Sequence, residues 1–145
     1  MPKALIIYAS RGGETKNIGE LTAEAIKLTD SDANIMNANF VKKEDMFEAY
    51  DAYVFGSATY NGEMMQSMKA LLFRAEKANL YGKTGALFGA YGWSGKTSYR
   101  IFETMENIFD MHMVGSPLRL KSTAVSGDRD IVHAYGREIA EKLKN

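Results

Sequence analysis

Three short runs of unbroken apolar character, residues 4–9, 52–56 and 84–89, most constrain what this chain can fold into. Each is too short for a buried helix and too continuous for a sheet with one wet face, so each reads as a strand buried on both sides. Each is followed by a loop rich in Gly or hydroxyl residues and then by apolar residues at helical spacing. The series are Ile18, Leu21, Ala25 and Leu28, then Met65, Met68, Leu72 and Ala75, then Phe102, Met105 and Phe109. Strand, loop and helix in alternation imply parallel strands joined by right-handed crossovers, with helices on both faces of the sheet. A weaker strand is expected over 33–40, where Ile35 and Met36 stand among asparagines, followed by a short helix over 43–48. A last strand over 118–125 precedes a helix carrying Val132, Tyr135, Ile139 and Leu143, with Asp128 as its N-cap. Residues 1–145 are therefore expected to form one α/β domain, a doubly wound five-stranded parallel sheet.

Composition removes several kinds of chemistry. The chain has no Cys, which excludes disulfides, thiolate metal sites, iron–sulfur ligation and thiol nucleophiles together. Its two histidines, His112 and His133, leave little for metal catalysis and read as packing or surface residues. Eighteen Lys and Arg balance 18 Asp and Glu, so the net positive field that favours nucleic acid or an anionic membrane is missing. No segment approaches the roughly 20 apolar residues of a membrane span, and the first residues lack a secretory n-region and cleavage site. A cytoplasmic protein that binds neither nucleic acid nor membrane is expected.

In an open parallel sheet ligands bind beyond the carboxyl ends of the strands, which directs attention to three loops. The first, Ser10-Arg11-Gly12-Gly13-Glu14-Thr15, opens a helix, where free backbone N–H groups and the helix dipole can hold a phosphate. A tight turn with a helix cap accounts for the same residues. The second, Ser57-Ala58-Thr59-Tyr60-Asn61-Gly62, and the third, Ala90-Tyr91-Gly92-Trp93-Ser94-Gly95, set aromatic rings among small residues. Large apolar surface is costly there unless something flat covers it, and the alternative is that Tyr60, Tyr91 and Trp93 pack on neighbouring helices. Together the loops suit a planar heteroaromatic with a phosphorylated tail.

These segments carry a specific resemblance. Residues 8–15, 51–57 with Thr59-Tyr60-Asn61-Gly62, and 86–93 make the chain similar, over nearly its whole length, to short-chain flavodoxins and to the flavodoxin-like domain of flavodiiron proteins. The resemblance implies the strand order 2-1-3-4-5 and flavin mononucleotide (FMN) as cofactor. The first loop, Ser10, Arg11, Gly12, Gly13, Glu14 and Thr15, would hold the phosphate. Ala58, Thr59, Tyr60, Asn61, Gly62 and Glu63 would border the inner side of the isoalloxazine, and Ala90, Tyr91, Gly92 and Trp93 the outer side, with Trp93 stacked on the ring. The implied function is that of a low-potential one-electron carrier between redox proteins, expected to be a monomer, with no residue acting as acid, base or nucleophile. Met64 and Met65 read either as a soft apolar rim for such a partner or as buried residues.

Asn61 and Gly62 tolerate positive φ, so the peptide between them can take either of two orientations at little cost. In the family a carbonyl at this place stabilises the neutral semiquinone. Gly62→Ala is accordingly expected to lower the semiquinone yield in a redox titration, and an unchanged yield would contradict the assignment. Arg11 and Ala58 depart from the family pattern, and so does the charge. Residues 51–100 hold six Lys and Arg against three Asp and Glu, so the anionic hydroquinone is less opposed than in an acidic flavodoxin.

Three other readings share parts of the pattern. Gly95-Lys96-Thr97 imitates the end of a nucleotide P-loop, but the required Gly five positions earlier is Ala90. A phospho-acceptor receiver domain needs Asp residues where Ala9-Ser10 and Gly56-Ser57 stand. An FMN-dependent NAD(P)H:quinone-type reductase would need a nicotinamide pocket over the ring, which a stacked Trp93 would obstruct. A further alternative is an FMN subunit feeding a separate metalloprotein oxidase or reductase.

Overall fold

The run 4–9 becomes an interior strand of the sheet, because its side chains alternate between two faces that are both buried. The structure is a computed structural model describing residues 2–9, 13–41, 47, 50–57, 59–60, 63–64, 66–89, 95–119 and 126–144, with only the backbone described at 14, 59–60, 63–64, 95–97, 119, 126–128 and 144. In chain order the elements are β1 (Lys3–Ala9), α1 (Glu14–Lys27), β2 (Asp32–Asn37), β3 (Ala52–Ser57), β4 (Thr59–Tyr60), β5 (Glu63–Met64) and α2 (Gln66–Lys77). They continue with β6 (Thr84–Gly89), α3 (Gly95–Glu103), β7 (His112–Met113), β8 (Leu118–Arg119) and α4 (Ser126–Lys144).

The sheet runs β2-β1-β3-β6-β7, with β8 also on β6 and every pair in it parallel. With the small β4–β5 ladder set aside this is the expected 2-1-3-4-5 order, its fifth position filled by two short pieces. Leu5, Ile7, Tyr53, Phe55 and Leu87 point to one face and bury Met68, Leu71 and Ala75 of α2 and Ile101 of α3. Ala4, Ile6, Val54, Ala86 and Phe88 point to the other and bury Ile18, Leu21 and Ile26 of α1 and Val132, Tyr135 and Ile139 of α4. Period-2 alternation with both faces covered is what makes these strands continuous apolar runs.

Several expectations shift in detail. The 33–40 strand ends at Asn37, whose side chain accepts a hydrogen bond from the Asn39 N–H (2.9 Å) and starts a 3₁₀ turn over Ala38–Phe40. Its asparagines are tolerated because β2 is an edge strand; Asn34 donates to the Tyr50 hydroxyl at 2.9 Å. Leu28 falls just past α1 and is exposed, so Ile26 fills the buried place nearest that helix end. Leu71 takes the fully buried place on α2, with Leu72 half-buried. Asp128 is the third residue of α4, not its N-cap, and His112 lies in β7. The expected helix over 43–48 lies outside the described residues except for Phe47, and the expected strand over 118–125 outside them beyond Arg119.

The divided fifth strand leaves a gap on the outer edge of β6. His112 N–H donates to the Lys83 carbonyl at 2.9 Å and Val114 N–H to the Gly85 carbonyl at 2.8 Å. Pairing resumes where Phe88 and Gly89 face Leu118 and Arg119. In between, Leu87 is served by a side chain: its N–H donates to the Tyr135 hydroxyl at 2.8 Å, and that hydroxyl donates to the Leu87 carbonyl at 2.9 Å. Burial pushes the Tyr135 phenol well above its ordinary range, outweighing the opposing effect of the hydrogen bond to Leu87.

Candidate functional site

The strand order reverses at β1, whose neighbours β2 and β3 follow it in sequence but lie on opposite sides. Such a switch point opens a crevice at the carboxyl edge of the sheet. The register places Ala9 beside Ser57 and Ser57 beside Gly89, so the segments beginning at residues 10, 58 and 90 leave the sheet from adjacent positions. The three loops singled out in the sequence thus start together. Ser10, Arg11, Gly12, Ala58, Asn61, Gly62, Ala90, Tyr91, Gly92 and Trp93 lie outside the described residues, as does Met65.

At the first loop the head of α1 is described. Gly13 is the N-cap, with no side-chain capping bond, so the first-turn N–H groups have no side-chain acceptor from it. A Cβ on Gly13 would meet nothing within 4 Å, so the space beside the cap is open. Glu14 is the first helical residue, and Thr15 follows with its side chain only 1% exposed. The Thr15 hydroxyl oxygen is buried and has no hydrogen-bond partner among the described residues. A buried hydroxyl in that state costs about 1–3 kcal/mol. Thr22, deeper in the same helix, escapes that cost by donating to the Ile18 carbonyl at 2.8 Å. The equivalent acceptor for Thr15 would belong to residue 11, ahead of the helix. A helix head and a buried hydroxyl that both lack a side-chain partner among the described residues are a donor set suited to an anion.

At the second loop, Thr59 pairs with Met64 and Tyr60 with Glu63 in an antiparallel ladder, so the segment expected as plain loop contains a small hairpin enclosing residues 61 and 62. Ser57, expected as the first loop residue, instead ends β3 and is fully buried, and a second buried hydroxyl residue at this edge, Ser98 in the first turn of α3, was not singled out from sequence. Ser98 was legible in principle, since it holds a core position three residues before Ile101 on the apolar stripe of α3.

The histidines are elsewhere. His112 starts β7 at the opposite edge of the sheet, and His133 on α4 sets Nε2 3.8 Å from Glu24 Oε1 of α1, beyond hydrogen-bond reach. A cleft of about 710 Å³ also lies at the opposite edge, between Pro2, Asp51, Thr84, His112 and Lys142. Among those residues no His, Asp and Glu cluster could hold a metal, and no helix is long and apolar enough to cross a membrane.

A parallel sheet with this order, a crevice at its switch point and an anion-ready helix head define an α/β protein of the nucleotide-cofactor-binding class. Comparison makes the class specific, because residues 5–122 match the family model described as the flavodoxin domain. The chain belongs to the flavodoxin family. It is 29% identical to a flavodoxin of Maridesulfovibrio salexigens over 99% of this chain and 100% of that one. It is 28% identical over 96% of its length to the type A flavoprotein fprA of Rhodobacter capsulatus, of which it spans only 33%. A solved structure of a flavodoxin from the domain Archaea superposes with a TM-score of 0.89 at 30% identity, covering 99% of both chains. Proteins of this family bind FMN and transfer electrons to redox partners.

Proposed function

We propose that this chain is a low-potential one-electron carrier that binds FMN without a covalent bond and passes electrons between redox proteins, acting as a single domain and as a monomer. The observation that carries the reading is the buried, unpartnered Thr15 hydroxyl at the uncapped head of α1, at the switch point of a flavodoxin-family sheet. The fit to a phosphate rests on that donor set. Thr15 and the first-turn N–H groups would hold it, together with Ser10, Gly12 and the backbone at Gly13 and Glu14. Residues 58–63 and 90–93 would enclose the ring and exclude water from it. When bound, FMN supplies one-electron redox chemistry; the chain's part is to orient it and to set the electrostatics around it.

Thr15→Val tests the assignment with two readouts of opposite sign. FMN affinity is expected to fall about tenfold or more, the worth of a hydrogen bond to a charged group, measured by quenching of flavin fluorescence on adding apoprotein. The apoprotein is expected to be as stable as the wild type or about 1 kcal/mol more stable, because a methyl replaces an unsatisfied hydroxyl. Unchanged affinity would remove Thr15 from the site. The function itself is tested by the visible spectrum and a reductive titration of the purified protein, where two separated one-electron steps and no direct NADH oxidation are expected. A second reading, an FMN module feeding a separate metalloprotein, is favoured by the match to one third of a type A flavoprotein. Electron delivery to such a partner, with none to other carriers, would select it.

A further inference from the structure

The outward faces of α2 and α3 carry apolar surface that the fold does not need. Phe73 is 61% exposed and Tyr99 57% exposed, each large enough to have been buried at little cost in composition. Both helices follow loops of the crevice and run away from it. Phe73, the eighth residue of α2, lies about 10 Å from the head of its helix, and Tyr99, the fifth of α3, about 6 Å, at 1.5 Å per residue. The patch therefore starts about 6 Å beyond the crevice and runs away from it, with Tyr99 midway along α3 and Phe73 past the middle of α2. Charge separates this face from the rest. α2 carries Lys69, Arg74 and Lys77 against Glu76, and α3 carries Lys96 and Arg100, the latter exposed beside Tyr99, against an exposed Glu103. Over residues 51–100 six basic residues face three acidic ones, whereas the rest of the chain holds 12 basic and 15 acidic residues, since the totals are 18 and 18. Lys77 places its amine 4.5 Å from the centroid of the Phe73 ring, so cation and apolar surface are presented together.

We propose that the outer face of α2 and α3, centred on Phe73 and Tyr99 and flanked by Lys77 and Arg100, is the docking surface for an acidic redox protein whose carboxylates surround an apolar patch. Aromatic residues beside cations are what protein interfaces concentrate, and a basic partner would meet repulsion here. The proposal rests on the carrier reading for its biological sense, but docking itself needs no electron transfer.

The test is a titration of the oxidised, FMN-loaded, ¹⁵N-labelled protein with an acidic plant-type [2Fe–2S] ferredoxin. Cytochrome c, which is strongly basic, and vesicles of anionic phosphatidylglycerol are the other probes. Ferredoxin is expected to shift amides of α2 and α3, with an affinity that weakens as salt rises to about 0.3 M. K77E/R100E is expected to weaken binding at low salt about tenfold or more and to flatten its salt dependence, and F73S to weaken it at every salt concentration. K142E, on α4 across the sheet, is expected to change nothing. All four positions are exposed, and the unshifted remainder of the amide spectrum reports that each variant folds. The proposal is overturned by shifts mapping to α1 and α4, by wild-type binding in K77E/R100E, by preference for cytochrome c, by vesicle binding in place of ferredoxin, or by no binding. A protein that binds ferredoxin through this face yet fails to cycle by single electrons would sink the carrier reading and leave the docking surface standing.

Discussion

Tyr135→Phe is expected to lower stability by about 2–5 kcal/mol, an effect out of proportion to the loss of one oxygen atom. The oxygen fills the gap between β7 and β8, where it accepts from the Leu87 N–H at 2.8 Å and donates to the Leu87 carbonyl at 2.9 Å. Removing it leaves two buried backbone groups unpaired, each costing about 1–3 kcal/mol, while the ring still packs against the sheet. For a domain of this size the melting temperature should drop by roughly 10 °C. A shift of only one or two degrees would mean that water or a shifted strand replaces the hydroxyl.

The same phenol makes stability depend on pH in a definite direction. Burial raises its pKa in the folded state, so above the ordinary phenol value of about 10 the unfolded chain holds fewer protons at this position than the folded one. Stability therefore falls as pH rises beyond about 10, by up to about 1.4 kcal/mol per pH unit from this group, and is fully present below it. The difference between wild type and Tyr135→Phe isolates the contribution, because the variant lacks that slope.

The architecture was legible because burial on both faces writes itself into continuous apolar runs, and the crevice because its loops begin where those runs end. What was not legible depends on distance in sequence. The gap in the fifth strand, and its repair from 48 residues away by Tyr135, leave no local mark. Tyr135 looks like any other apolar position on the stripe of α4. Asp suits an N-cap, yet Asp128 is the third residue of α4, which starts at Ser126. Leu28 continued the period of α1 but falls at its C-cap, a place periodicity cannot mark. Of the phosphate loop, the sequence offered turn and cradle as equal readings. The buried Thr15 hydroxyl, without a partner among the described residues, supports the cradle proposed above.

Gly56→Ala should destabilise the protein by about 3 kcal/mol, although it adds one methyl group. A Cβ at Gly56 would stand 2.1 Å from Phe88 Cζ, 2.2 Å from Cε2 and 2.7 Å from Cε1, so it overlaps the distal end of the ring, which can clear it only if the whole ring swings away. The ring cannot yield easily, because it is fully buried and α1 lies beyond it; a Cβ at Gly19 would be 3.5 Å from Phe88 Cζ. Overpacking of this kind costs about 1–3 kcal/mol when neighbours can shift, and more when they cannot. The strain would be passed to α1 four residues after Thr15, so FMN affinity is expected to fall with stability. Pairing the change with Phe88→Leu distinguishes this mechanism from a backbone effect on β3. Phe88→Leu alone leaves a cavity and is destabilising, but with Ala at 56 the smaller side chain gives the new methyl room. The double variant is expected to be more stable than the two single losses added together by about 2 kcal/mol, within the range of coupling for residues in contact. Chemical denaturation of the four proteins, with flavin titration of each, measures both effects. Strict additivity would place the cost in the strand itself and leave the α1 spacing, and with it the proposed phosphate site, independent of Gly56.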